Sequence, residues 1–528
     1  MRPWPPPSSC SASAELDDRF REIEPAQREQ RRETEADGVH SIGGTGETVK
    51  TRIEVLSPNE CAQVHERSLH VLETVGVRVD SREGRLILKD AGALVDEWTH
   101  IVRLPPTLVE ELLALAPRRF SLGGRRPGWG FPLNAGEATL CLDGGPTLVL
   151  DRHSGERRPA TQADWLEAIR LCDAIDEIGM LWSPVSGWLT DESRAGFVDY
   201  AAATQRAFSK HVQDSFDDPA DAPWLLAVLE IVFGGRDEVR RLHPFSFLST
   251  PVSPLVLEAS GTDAWLALRG YDIPLAIMPM PLMGATAPAS MLATTLLGNC
   301  DVLGMLCLAQ AAEPGTPTIH APALATMDPR SGRLGDNSPQ AALNIAGIEM
   351  ARHYGLPAMG SGPSSDAFAP GIQSGYERAF GTVLSALAWP DILVGPGTLA
   401  ESSVFSFEQT MVDVEVWRLS RKAHAGIAVA EDGWLSEALA RVGPGGQFLS
   451  EKSTRVNARS GEWYFSQLGW HDSYDAWTAA GRPDALDEAC DKVDAILAAH
   501  NPLPLSDGIE DALAELRSRA LRHDGGLP

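Results

Sequence analysis

LPAMGSGPSSDAFAPGIQSGYERAFG, residues 356–381, holds one complete structural unit. The apolar run Leu356–Met359 reads as a short buried strand. A Gly/Ser/Pro loop follows with a single acid, Asp366, and feeds a helix rich in small residues over 374–388. The same beat recurs on either side. Strands are predicted at 178–186, 209–215, 244–250, 273–280, 316–322 and 391–396, with helices after them at 191–206, 219–234, 254–270, 288–311, 338–353 and 406–424. Strand and helix alternating at this length build a parallel sheet, which right-handed crossovers wind into an open sheet or a closed barrel. No strand opens into GxGxxG and no GxxxxGK[ST] occurs, so the phosphate-binding devices of open sheets are missing and a TIM (β/α)8-type barrel is the reading. Seven units are clear; the eighth strand comes either from 139–150 or from GIAVAEDG near 426.

Around this barrel, assigned to 161–430, the chain divides further. Residues 1–50 combine Pro, Ser and dense charge without an aliphatic pattern, as a disordered or loosely attached arm does. Residues 51–160 read as a small N-terminal α/β region. It opens on SPNECAQVHERSLHVLETVG, where Ser57 and Glu60 form a capping box, Pro58 suits the first helical position and Gly76 supplies the left-handed stop. Residues 431–528 form a helical C-terminal extension.

Composition narrows the function. The net charge is -27, from 72 acids against 45 basic side chains, which repels phosphate backbones and argues against nucleic acid as a partner. Seven scattered cysteines without CxxC spacing indicate neither a disulfide framework nor a zinc site, so no bound metal is expected. No secretory signal is legible, and a reducing, cytoplasmic setting is expected. APASMLATTLLGNCDVLGMLCLAQ, 287–310, is apolar enough for a membrane span, but Asn299 and Asp301 stand at its middle, so a buried core helix is the better reading and no membrane is expected.

Barrel chemistry gathers at the C-terminal ends of the strands. That rule places His211, Gln213 and Asp214, His320, the 359–381 loop with Ser361, Ser365, Asp366, Gln373, Tyr376 and Glu377, and Glu401 at the mouth, with Trp182 and Phe407 close in sequence. DRHSGE at 151–156 approaches the D-x-H-x-x-G cobalamin loop, but its glycine comes one residue early, and a plain turn is the reading.

Seven segments in order, LSPNECAQVHERSLHVLETVGVRV, LDRHSGERRPATQADW, PVSPL, GATAPAS, MDPRSG, SDAFAPGIQSGYERAFG and SFEQTMVDVEVW, resemble the trimethylamine methyltransferase family in its form without pyrrolysine, which includes glycine betaine:corrinoid methyltransferases. The resemblance spans about 52–505. It implies a barrel that moves a methyl group from a quaternary or tertiary methylamine to cobalt in a separate corrinoid protein, with cobalamin carried by that partner and a homo-oligomeric enzyme. A trimethylammonium group is held by aromatic faces and carboxylates, because cation–π contacts contribute roughly 0.5–2 kcal/mol each and the group donates no strong hydrogen bond. On that reading Asp366, Glu401 and His320 are the catalytic candidates, His320 meeting the corrinoid face or a substrate carboxylate unless it is a core histidine. Trp182, His211, Gln213, Ser361, Ser365, Gln373, Tyr376, Glu377 and Phe407 are the substrate-binding candidates. The chain departs from the family pattern at Lys210, Gln340 and Gly371–Gln373, and the absence of pyrrolysine disfavours trimethylamine itself. A non-catalytic binder of quaternary amines and a metal-free barrel lyase or hydrolase are the alternatives.

Overall fold

Eight short strands and the helix that follows each of them make up the centre of the fold. The computed structural model describes residues 52–186, 193–335, 338–427, 429–459 and 462–522; the arm predicted at 1–50 lies outside the described residues. The strands are β1 (Thr139–Cys141), β2 (Ile178–Leu181), β3 (His211–Asp214), β4 (Phe245–Ser249), β5 (Leu275–Ile277), β6 (Thr318–His320), β7 (Met359–Ser361) and β8 (Ile392–Val394). Their helices are α1 (Gln162–Ala174), α2 (Arg194–Ala207), α3 (Ala222–Phe233), α4 (Ala259–Leu266), α5 (Met291–Ala312), α6 (Ser338–Tyr354), α7 (Ile372–Ala388) and α8 (Phe407–Ala425).

The strands pair in parallel in the order β6-β5-β4-β3-β2-β1-β8-β7. A parallel bridge between His320 and Ala358, with the His320 amide donating to Pro357 O at 2.9 Å, joins the two outer strands. The sheet is therefore a ring, and a ring of parallel strands with outer helices is the (β/α)8 barrel read from the sequence. The eighth strand is 139–141, one of the two stretches left open above. The barrel thus starts at Thr139 rather than after 160, because the hairpin of Leu148–Leu150 and Arg157–Pro159 is inserted between β1 and α1.

Side-chain alternation divides the strands into two faces. Cys141, Met180, Leu248, Ala276, Ile319, Met359, Ile392 and Val394 fill the interior. Val212, Phe245, Phe247, Leu275, Ile277 and Leu393 belong instead to the cluster shared with the helices. An antiparallel pair, Ser121–Gly123 with Gly130–Pro132, brings Leu122, Leu133, Phe120 and Phe131 onto the interior cluster.

Helix α5 is apolar all round because both of its sides are covered, and every residue from Gly298 to Gln310 is buried. The N-terminal region packs its helices Pro58–Thr74, Arg82–Asp90 and Pro106–Leu115 on it. Asn299 donates to Ser68 Oγ and Tyr354 Oη, both at 2.8 Å, and Gly304 lets the helix approach Val77 so closely that a Cβ would lie 3.0 Å from its methyl. Asp301 accepts from Ser253 Oγ at 2.6 Å and Leu255 N at 2.8 Å, while burial raises its carboxyl to about 6. The first of these helices keeps its capping box, Ser57 with Glu60, and its Pro start. Lys210 is buried and donates to Cys172 O and Ile175 O at the end of α1, adding a second donor to carbonyls that already accept from Ile175 N and Ile178 N.

The C-terminal extension is helical, with Tyr474–Ala479, Ala485–Ala499 and Asp507–Ala520. Its second helix is tied to α1 by Arg170, which donates to Leu497 O and His500 O, and the third to α2 by the Arg206–Glu510 and Arg517–Asp199 ion pairs. The chain also contains a smaller compact unit whose described part falls within 151–156 and 421–466. In it, Asp151–Glu156 is a tight turn: Asp151 Oδ1 accepts from the amides of His153 and Ser154, and Gly155 N donates to Asp151 O at 2.7 Å.

Candidate active site

Strand β1 ends in Leu142-Asp143-Gly144-Gly145. Gly144 packs its backbone against the indole of Trp182, the residue after β2; a Cβ there would lie 2.2 Å from the ring, so only glycine fits. Asp143 accepts a short hydrogen bond from Ser402 Oγ, its one hydrogen-bond partner among the described residues. Burial raises its carboxyl to about 6, against the opposing pull of Ser402 and, further off, Arg378.

Ser402 is presented by an unusual backbone. Beyond β8 the chain forms a hairpin, Thr398–Leu399 with Val404–Phe405, and turns through Ala400, Glu401 and Ser402 with φ of 50°, 57° and 61°. Three successive left-handed non-glycine residues cost roughly 1–2 kcal/mol each. The surrounding bonds hold them there: Ala400 N to Ala367 O at 2.9 Å, Glu401 N to Ser365 O at 3.1 Å and Ser403 N to Leu399 O at 3.1 Å. Strain retained in this way clusters at functional sites. Beneath the hairpin, buried Arg378 of α7 donates to both carboxylate oxygens of Asp413 on α8 and to the carbonyls of Gly395 and Thr398. Asp413 in turn accepts from Gly397 N at 2.8 Å and Gln409 Nε2 at 2.9 Å.

The β7 loop converges on Glu377. Its carboxylate accepts from Ser365 Oγ at 2.6 Å, Asp366 N at 3.1 Å, Gln373 Nε2 at 3.0 Å and Tyr376 Oη at 3.2 Å. Glu377, and to a lesser degree Asp366, raise the Tyr376 phenol. Since Ser365 O also receives the Glu401 amide, the β7 and β8 loops are one bonded assembly with Asp143 at its far edge. Glu401 pairs with Arg333 at 3.1 Å, whose guanidinium lies 5.9 Å from the Phe368 ring centroid. Phe368 and Tyr376 are 60% and 61% exposed, and Met280, beyond β5, is 56% exposed, giving the rim an open apolar surface.

The mouth therefore gathers Trp182, Ser365, Asp366, Gln373, Tyr376, Glu377 and Glu401, with Ser361 at the end of β7. Other sequence candidates lie elsewhere. His211 and Gln213 point into the barrel: His211 Nδ1 donates to Gly123 O at 3.3 Å, and its Nε2 accepts from Ser246 Oγ at 2.9 Å, which lies 3.4 Å from Gln213 Oε1. Burial lowers His211 to about 3, so it is neutral. Phe407 is buried edge-on to Phe405 in the helical shell. Asp214 shares the outward face of Val212 and bonds Tyr200 of α2.

His320 is corrected from a mouth residue to a core histidine. It follows the parity of Thr318, which bonds Gln310 of α5, and its ring lies 6.0 Å from Tyr354 of α6 on the helix side of the wall. Burial lowers it to about 3, and neither ring nitrogen has a hydrogen-bond partner among the described residues. Its folded pKa lies below the unfolded value near 6.5, so unfolding takes up a proton between the two. The stability it contributes is full above about pH 6.5 and is lost as pH falls towards 3. His320→Phe should leave stability at neutral pH unchanged or about 1 kcal/mol higher, since an unpaired buried polar group is costly, and should flatten part of this acid loss. Urea midpoints across pH check it; a loss above about 2 kcal/mol at neutral pH would mean the imidazole has a partner.

Asp143 is the residue that the sequence reading missed. Its signal was an acid two residues past the end of a strand and directly before Gly-Gly.

A closed barrel with carboxylates from several strand ends meeting at its mouth defines a (β/α)8 enzyme. The sequence profile of the trimethylamine methyltransferase (MTTB) family matches residues 24–522, and the chain belongs to that family. It is 29% identical over 461 residues to a trimethylamine methyltransferase of Desulfitobacterium hafniense, covering 87% of this chain and 92% of that one. It is 26% identical over 428 residues to a glycine betaine methyltransferase from another strain of that species, covering 81% and 88%. Among solved structures, the monomethylamine methyltransferase of Methanosarcina barkeri aligns over 94% of this chain and 92% of its own, with 11% identity and a TM-score of 0.48.

Proposed function

We propose that this protein transfers a methyl group from a quaternary methylamine of the glycine betaine type to the cobalt of a corrinoid carried by a separate protein, in the cytoplasm. Membership of a methyltransferase family supports the reaction class. The observation that carries the substrate class is Asp143: a desolvated carboxylate at the mouth with no basic residue in hydrogen-bond reach among the described residues, in the loop that packs on Trp182. A permanent cation beside an aromatic face completes such a site.

The chemistry asks little of the side chains. A quaternary ammonium gives up its methyl and leaves as a neutral amine, so no proton has to be supplied, and neither of the buried, neutral histidines is needed as an acid. The reduced corrinoid supplies the nucleophile; the protein holds, desolvates and aligns the methyl donor. The Asp151–Glu156 turn is closed by its own hydrogen bonds with His153 exposed, and its glycine comes one residue early for the cobalamin motif, which supports a corrinoid carried by a partner. The exposed rim at Met280, Phe368 and Tyr376 offers that partner a surface to cover.

The test combines purified protein, a reduced corrinoid carrier and a panel of methylated amines, read by the cobalt absorbance change. Methylation with quaternary but not primary amines is expected. Ligand binding without turnover would favour the binder alternative, and turnover without carrier the lyase or hydrolase. In the same assay Glu377→Gln should lower kcat/KM about 10–100-fold while the melting temperature falls by only a few degrees. The amide brings a donor to where Ser365 Oγ and Asp366 N already donate, and an unmade buried bond costs roughly 1–3 kcal/mol.

A further inference from the structure

Outside the barrel wall, a partly enclosed cavity lies between β3, β4 and helices α2 and α3. Phe197, Tyr200, Phe216 and Phe245 line it, with Asp214, Gln205, Thr204 and Ser215 as polar residues and Asp214 as its one carboxylate. The rings are set at angles, Phe197 and Phe216 meeting edge to face at 5.7 Å. Asp214 accepts from Tyr200 Oη and from Ser215 N, and no Lys or Arg among the described residues pairs with it. Gln205 is 4% exposed.

A carboxylate kept among phenyl rings without a cation is an unbalanced charge. The negative ring faces repel a second anion and attract a positive group. A hydrated metal ion would need several oxygen donors, and only one carboxylate stands here. A small alkylated ammonium matches instead: its charge faces Asp214, its methyls meet the rings, and Gln205 Oε1 can accept from an N–H or polarised C–H. We propose that this cavity binds a small organic ammonium ion, at a site separated from the barrel mouth by the sheet itself. Nothing in this inference requires the mouth to be a methyltransferase site.

The experiment uses the full chain carrying Asp143→Asn and Glu377→Gln, which weakens mouth binding, titrated calorimetrically with tetramethylammonium chloride. About one equivalent of binding should remain, at least tenfold weaker after further substitution Asp214→Asn or Phe216→Ala and preserved by Phe216→Tyr. Neopentyl alcohol, a neutral isostere, should not compete. No heat in the mouth-weakened chain, unchanged affinity in both the Asp214→Asn and Phe216→Ala chains, or equal binding of the alcohol would overturn the assignment. Phe216 sits only half-buried, so its variant remains informative if Asp214→Asn does not fold.

Discussion

Replacing Arg378 by methionine should cost about 3–5 kcal/mol in unfolding free energy, the penalty for breaking a buried ion pair from one side. Both partners are almost fully buried, and the Arg378 guanidinium spans Asp413 and the carbonyls of Gly395 and Thr398. Methionine leaves Asp413 charged, desolvated and held only by Gly397 N and Gln409. The pair joins α7 to α8 beneath the strained 400–402 turn, so the loss should reach the mouth: Ser402 no longer holds Asp143, and activity should fall further than stability alone explains. The double variant Arg378→Met, Asp413→Leu removes the stranded charge and should recover most of the stability but not the activity. Urea midpoints for the four-member cycle measure the coupling. If the double variant is no more stable than Arg378→Met, the cost lies in the two loop carbonyls rather than in the ion pair.

Most of the barrel was legible because each unit announces itself locally: an apolar run, a Gly- or Pro-bearing loop and a helical pattern. The strand read at 391–396 is β8, Ile392–Val394, and the helix read at 406–424 is α8, Phe407–Ala425. What was hidden is set by long-range contacts. Strand β1 stands apart from its helix because a hairpin intervenes, so the sequence left its partner undecided although its pairing with β2 and β8 closes the ring. Leaving β1 undecided also hid Asp143. His320 was misplaced for a different reason. In Thr318-Ile319-His320 both faces of the strand are buried, so polarity does not reveal which residue looks inward; only contact with Tyr354 decides it. The Glu377 cluster, by contrast, is carried within 365–377, and its members could be read together from one stretch.

The second large effect belongs to Asp143. Glu401 is matched by Arg333 and Glu377 by four donors, whereas Asp143 has Ser402 Oγ alone among the described residues, which leaves it charge to spare for a substrate. Methyl transfer disperses the positive charge of the ammonium, so an anion beside it binds the ground state at least as well as the transition state. Asp143→Asn should therefore raise KM for a quaternary amine about 10–100-fold while kcat stays within about threefold, the signature of lost uniform binding. The pH profile follows from a carboxyl raised to about 6: it is ionised above that value and protonates below it, so wild-type kcat/KM should fall as pH drops through about 6 and the Asn variant should lack that limb. Steady-state kinetics with a quaternary amine and a primary amine at several pH values provide the measurement. A kcat loss with KM unchanged would place Asp143 behind another residue, holding the 400–402 turn through Ser402 instead of meeting the cation, and the electrostatic case for a quaternary substrate would then have to rest on Glu377 and its ring neighbours.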